Sequence, residues 1–163
     1  MSRLQSMIRR LEAQVACLDW AVADIAALPG LILELGLGNG RTYDHLREGL
    51  GGRRAIYVFD RAVGAHPSCV PPEEFLTLGD IRESLPAFAK RGLGPAALAH
   101  ADLGSGDPAK TRAMADWLGP VLPPLVAPGG LVLSDQQLFA PELREIQPPV
   151  GELVWRYFVY RRV

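Results

Sequence analysis

Five short apolar runs, each stopping at a glycine or an aspartate, constrain this chain more than any other feature. They are Leu31-Ile32-Leu33-Glu34-Leu35 before Gly36, Ala55-Ile56-Tyr57-Val58-Phe59 before Asp60, and Phe75-Leu76-Thr77-Leu78 before Gly79-Asp80. Ala96-Ala97-Leu98-Ala99-His100-Ala101 before Asp102 and Leu131-Val132-Leu133-Ser134 before Asp135 complete the set. Short apolar runs bounded by turn residues read as strands buried on both faces. Helical stretches separate most of them. One follows Gly40 to about Leu50, and one covers residues 81–91 around Pro86. A third starts at the N-cap pair Asp107-Pro108 and runs toward Leu125, with a break near Gly119-Pro120. This alternation predicts an α/β fold with a doubly wound, mostly parallel sheet. Residues 61–72, rich in glycine and proline, predict a loop where a helix would usually stand. The β-forming tail, residues 153–160, predicts an antiparallel C-terminal edge strand.

Ahead of the first strand, Leu4, Ile8, Leu11, Val15, Leu18, Val22 and Ile25 step by four and three, the stripe of one helix ending at Leu28-Pro29-Gly30. The organisation expected is therefore an N-terminal helix, residues 1–28, packed on one domain of residues 29–163. A chain of 163 residues suits a single core. The positions flanking the stripe (Gln5, Glu12, Asp19; Met7, Gln14, Ala21) lack the complementary charges of a coiled coil. Stripe and apolar tail together exceed what one small sheet covers, which predicts a homo-oligomer. A hydrophobic fraction of 48% excludes disorder, and a net charge of −1 argues against nucleic acid or an anionic membrane as partner. There is no secretory h-region and no apolar stretch of ~18 residues to span a bilayer. Two cysteines, Cys17 and Cys69, are too few for a disulfide framework, so a cytoplasmic protein is expected.

In an open α/β sheet, ligands lie outside the carboxyl ends of the strands. Gly36, Gly38 and Gly40 allow a sharp turn and a close approach to the backbone. The helix that follows then points free N–H groups and the positive end of its dipole at a ligand. A dinucleotide fingerprint would require glycine at position 41, where Arg41 stands. Asp60 can accept two hydrogen bonds from a vicinal diol and would repel a 2′-phosphate. Asp80 reads equally as a ligand acceptor and as the N-cap of the next helix.

The ordered set Glu34-Leu35-Gly36-Leu37-Gly38-Asn39-Gly40, Asp60, Gly79-Asp80-Ile81, Asp102 and Pro128-Gly129-Gly130 resembles the motifs of class I S-adenosyl-L-methionine-dependent methyltransferases. The resemblance covers about residues 29–136, and the chain looks like a small bacterial single-domain subfamily of that group. It implies a Rossmann-like methyltransferase fold, S-adenosyl-L-methionine as cofactor and S-adenosyl-L-homocysteine as product. It also places Asp60 on the ribose hydroxyls and Asp80 on the adenine amino group. Cofactor contacts are expected at Glu34, Gly36, Gly38, Asn39, Gly40, Thr42, Tyr43, Asp60, Arg61, Gly79, Asp80, Ile81 and Asp102, with Thr42 and Tyr43 acting through their hydroxyls.

Methyl transfer from a sulfonium is a displacement, so placing the acceptor in line is the enzyme's main task, and a hydroxyl acceptor also needs a base. His100, Asp102 and Asp135 are the catalytic candidates, on strand ends expected to be neighbours, with Asp102 first. His66 is a more distant candidate, and Trp20 or a neighbouring subunit is expected to close the acceptor site. The expected acceptor is a small molecule. A similarity to metal-dependent catechol-type O-methyltransferases would enlist His100 or Asp102 with Asp135 and Gln136. The residue types differ from that group at His100 and Gln136, so no metal is expected. The alternatives are a non-catalytic S-adenosyl-L-methionine-binding protein and an NAD-linked oxidoreductase.

Overall fold

The computed structural model describes residues 1–163. Five parallel strands form its centre: β1 (Leu31–Leu35), β2 (Ile56–Asp60), β3 (Leu76–Leu78), β4 (Ala96–Ala101) and β5 (Val126–Ser134). Two short strands, β6 (Leu143–Glu145) and β7 (Phe158–Arg162), run antiparallel to their neighbours. The sheet order is β3-β2-β1-β4-β5-β7-β6. Every residue of β1 and β4 is buried, because helices cover both faces there. Because β1 pairs with both β2 and β4, the winding reverses at β1, and a crevice opens outside the carboxyl ends of β1 and β4.

Helices α1 (Arg3–Asp24) and α2 (Arg41–Leu50) pack on one face, where Cys17, Leu18, Ile25 and Leu46 meet Ile32, Val58 and Leu98. Helices α3 (Ile81–Ala89) and α4 (Pro108–Val121) cover the other, where Leu85, Phe88, Leu118 and Leu122 meet Leu33, Phe59 and Val132. Alternate side chains of each strand serve opposite faces, so each strand feeds both cores. No helix is long and apolar enough to cross a membrane.

Two details depart from the sequence reading and a third agrees with it. The tail strand begins at Phe158, after a 3-10 turn at Gly151–Val154, and the unforeseen three-residue β6 lies outside it as the outermost strand. The buried face of α1 is Ala13, Gln14, Cys17, Leu18, Ala21 and Ile25, which keeps only Leu18 and Ile25 of the expected stripe. Small side chains at Ala13, Cys17 and Ala21, four residues apart, let the helix lie close to the sheet. Leu4 and Val15 are left 71% and 45% exposed. Finally, residues 61–72 hold a 3-10 turn at Pro67–Cys69 rather than a helix, as expected of a loop, and this segment docks on α2. There the Arg47 guanidinium donates to the Ser68 carbonyl at 3.2 Å.

Candidate active site

At the end of β1 the chain turns through Gly36, whose φ of +96° and closeness to the Asp102 carbonyl leave no room for a Cβ. The Gly36 N–H donates to Phe59 at 2.8 Å and the Asp102 N–H to Leu35 at 2.9 Å, so the ends of β1, β2 and β4 are clasped together. Gly40 begins α2 with φ +85° and no side chain to cap it; the Arg41 N–H donates to Asn39 Oδ1 at 3.4 Å, and the next N–H groups of the first turn are left available to an anion. A Cβ on Gly40 would stand 2.5 Å from the Cβ of Cys69, so the 61–72 loop presses directly on the glycine turn.

Beneath this turn lies a buried ion pair. Glu34 is wholly buried in β1 and accepts from the Thr42 hydroxyl at 2.5 Å and from His100 Nδ1 at 2.7 Å. Three elements are thus tied at one carboxylate: β1, the start of α2, and β4. Burial of the His100 ring works against its charge. The Glu34 carboxylate, its hydrogen bond and the more distant Asp102 and Asp135 outweigh that, and hold the imidazole pKa above 6.5. The Tyr157 ring lies 5.9 Å from the imidazole, and burial, then the surrounding carboxylates, push its hydroxyl pKa well up. Neither His100 Nε2 nor the Tyr157 hydroxyl has a hydrogen-bond partner.

The aspartates at the strand ends differ in their surroundings. Asp60 accepts from the Gly38 N–H at 2.8 Å through one oxygen and from its neighbour Arg61 N–H at 2.6 Å through the other. Asp80 caps α3, accepting from the Arg82 N–H at 2.9 Å. Asp102 receives Arg10 at 2.5 Å on one oxygen and the Gln14 amide at 3.0 Å on the other. Asp135 holds the Gly104 N–H at 3.2 Å and the Gln136 amide at 3.0 Å. Burial, then the charge of Asp102, raises the Asp135 pKa above its ordinary 3.8.

Two cavities open at these strand ends and share Gly36, Gly38, Asp102 and Gly104. One, about 300 Å³, is lined by Asp60, Arg61, Gly79 and Ile81 with Phe59, Leu103 and Met114. The other, about 260 Å³, is lined by Asn39, Arg41 and Thr42 with Met7, Arg10, Leu11 and Gln14 of α1. A larger cleft of about 470 Å³ lies at the opposite ends of the strands, between Leu31, Pro95 and Val126, away from the glycine turn.

The structure therefore sorts the expected residues. Gly36, Gly38, Asn39, Thr42, Asp60, Arg61, Gly79, Ile81 and Asp102 line the paired cavities. Glu34 and His100 do not, being sealed beneath the turn, and Tyr43 points into the core under α1. Gly40 faces the 61–72 loop, Asp80 caps α3 through one carboxylate oxygen, and Asp135 fastens the loop at Gly104. The expected convergence of His100, Asp102 and Asp135 leaves Asp102 alone on the cavity walls, because the His100 ring turns inward to Glu34. Trp20 packs against the core rather than the cavities, and His66 caps the turn at Pro67–Cys69. No group of three His, Cys, Asp or Glu side chains has metal-ligating geometry. Sequence reasoning missed Arg10 and Gln14, which reach Asp102 from about ninety positions away. One local signal bears on the buried pair: a Glu and a His each inside an otherwise apolar strand must find a partner.

Over residues 1–162 the chain matches the family model of S-adenosyl-L-methionine methyltransferase. A crystal structure of an S-adenosyl-L-methionine methyl transferase from Silicibacter pomeroyi DSS-3 is 48% identical. The match covers 100% of this chain and 99% of that one, with a TM-score of 0.93. TrmN from Thermus thermophilus, 17% identical, shares the fold with a TM-score of 0.61 over 91% of this chain and 49% of its own. Among curated proteins none matches.

Proposed function

The chain belongs to the S-adenosyl-L-methionine methyltransferase family, and from that premise we propose that it methylates a small-molecule acceptor, with the cofactor lying across the two cavities that meet at Gly36 and Asp102. The observation that carries this reading is the pairing itself. Two unlike cavities joined along three glycines and one carboxylate suit a ligand with two unlike ends.

The residues present fit that cofactor. On the Asp60 side, each carboxylate oxygen gives one lone pair to a backbone N–H and keeps another for a ribose hydroxyl. Phe59, Ile81, Leu103 and Met114 supply apolar walls for a base. On the other side, the uncapped start of α2 faces the amino-acid end, and Arg41 fills the place where a pyrophosphate-binding turn needs glycine.

When bound, the cofactor supplies a methyl group on a sulfonium. The chain's own residues do the positioning. Glu34, clamped by Thr42 and His100, sets the start of α2 against the glycine turn. Asp102, on the walls of both cavities, has both oxygens engaged by Arg10 and Gln14. So held, Asp102 is placed to orient a cationic group at the meeting point of the two cavities. Transfer then rests mainly on alignment of the acceptor with the methyl group.

A small acceptor is supported by a net charge of −1, where a nucleic-acid enzyme would carry a basic stripe. The test measures S-adenosyl-L-homocysteine release against a metabolite panel, with an RNA arm run beside it. Turnover on a metabolite is expected. Transfer confined to RNA would overturn the acceptor class.

A further inference from the structure

We propose that Arg10, on α1, is the residue that selects ligands carrying an α-carboxylate, and that with Asp102 it forms a charge pair complementary to the cofactor's amino-acid zwitterion. The inference rests on the cofactor placement proposed above and names a residue of α1 that the glycine-turn motifs do not contain.

An α-amino acid presents an ammonium and a carboxylate on one carbon. A complementary surface needs an acid and a base side by side, both open to the same cavity. Arg10 and Asp102 stand 2.5 Å apart, line the same cavity, and have side chains 44% and 22% exposed. The guanidinium has five N–H donors in a planar fork. Its contact with Asp102 uses only one terminal nitrogen, so the other edge is free to meet a carboxylate in bidentate fashion. Asp102, whose second oxygen is held by Gln14, keeps lone pairs for the ammonium.

Arg41 lines the same cavity and is the competing candidate. Its exposed side chain makes no ion pair and no side-chain hydrogen bond, so fixing it on a ligand costs its rotamer freedom. Arg10 is already oriented, by Asp102 on one side and by its seat on α1, one turn from the buried Ala13 and Gln14. Met7 and Leu11, on either side of it along the helix, complete an apolar rim around the charge pair.

The experiment compares two ligands in calorimetric titrations. S-adenosyl-L-homocysteine carries the zwitterion, and 5′-methylthioadenosine has the same nucleoside and sulfur without it. Arg10→Ala is expected to weaken S-adenosyl-L-homocysteine roughly ten- to hundredfold, the range for a charge-assisted pair, while 5′-methylthioadenosine is unchanged. Arg10→Lys, which keeps the charge and loses the fork, is expected to fall between. If Arg10 only fastened α1 to the sheet, both ligands would weaken together, and that result overturns the proposal. An unchanged ratio of the two affinities in Arg10→Ala overturns it as well, as does a selective loss found in Arg41→Ala alone. Wild-type protein that binds neither ligand would refute the cofactor placement itself, and Arg10's role with it.

Discussion

Replacing His100 with alanine removes one half of a buried ion pair and leaves Glu34 wholly enclosed with only the Thr42 hydroxyl as partner. Breaking a buried pair in this way costs about 3–5 kcal/mol, and the surviving hydrogen bond places this case near the lower figure. For a chain of this length, each kcal/mol moves Tm by roughly 2–4 °C, so a drop of about 6–12 °C is expected. The pH dependence supplies a sharper test. The folded-state pKa of His100 lies above its unfolded value of 6.5, so the folded protein holds the proton more tightly. The stability this confers is fully present below pH 6.5 and is lost as pH rises through the folded pKa, at up to about 1.4 kcal/mol per pH unit. Denaturant titrations between pH 6 and 9 measure that fall in the wild type. In His100→Gln, which keeps a donor for Glu34 but cannot ionise, the fall should be reduced by one proton's contribution. The reasoning is refuted if His100→Gln and wild type share the same slope, or if His100→Ala melts with the wild type.

Asp60→Ala, in a folded protein, should weaken S-adenosyl-L-homocysteine by about 2–4 kcal/mol through two lost charge-assisted hydrogen bonds, and unchanged affinity by calorimetry would refute that placement. Gly40→Ala should destabilise the fold by about 2–4 kcal/mol, because φ is +85° and the new Cβ meets the Cβ of Cys69 at 2.5 Å. Thermal melting checks it, and a neutral result would mean that the 61–72 loop yields easily. Leu4, Ile8 and Val15, exposed on α1, predict self-association at micromolar concentration, which light scattering reads directly. A monomer mass throughout the titration would count against it.

The parallel strands and the glycine turn were legible because their signals are local. An apolar run stopping at a polar turn says strand, and alternating glycines after it say close backbone approach. The antiparallel end of the sheet was harder. β6 contains only Leu143, Arg144 and Glu145, held by pairing to β7 and not by any pattern of its own. The face of α1 was misread because bulk suggested Leu4, Ile8 and Val15, whereas close packing on the sheet selected Ala13, Cys17 and Ala21. Strand ends named the candidate aspartates, yet their partners decide what each can do. Arg10 and Gln14 on Asp102, and Glu34 on His100, are contacts between distant positions that no single-sequence spacing encodes.

A crystal structure of the protein with S-adenosyl-L-homocysteine tests the placement of the cofactor most directly. The ribose hydroxyls are expected within hydrogen-bond reach of Asp60, the base against Ile81 and Leu103, and the amino-acid end between the start of α2 and the Arg10–Asp102 pair. Ligand density in the larger cleft between Leu31, Pro95 and Val126, or with its ends reversed across Gly36, would contradict that placement.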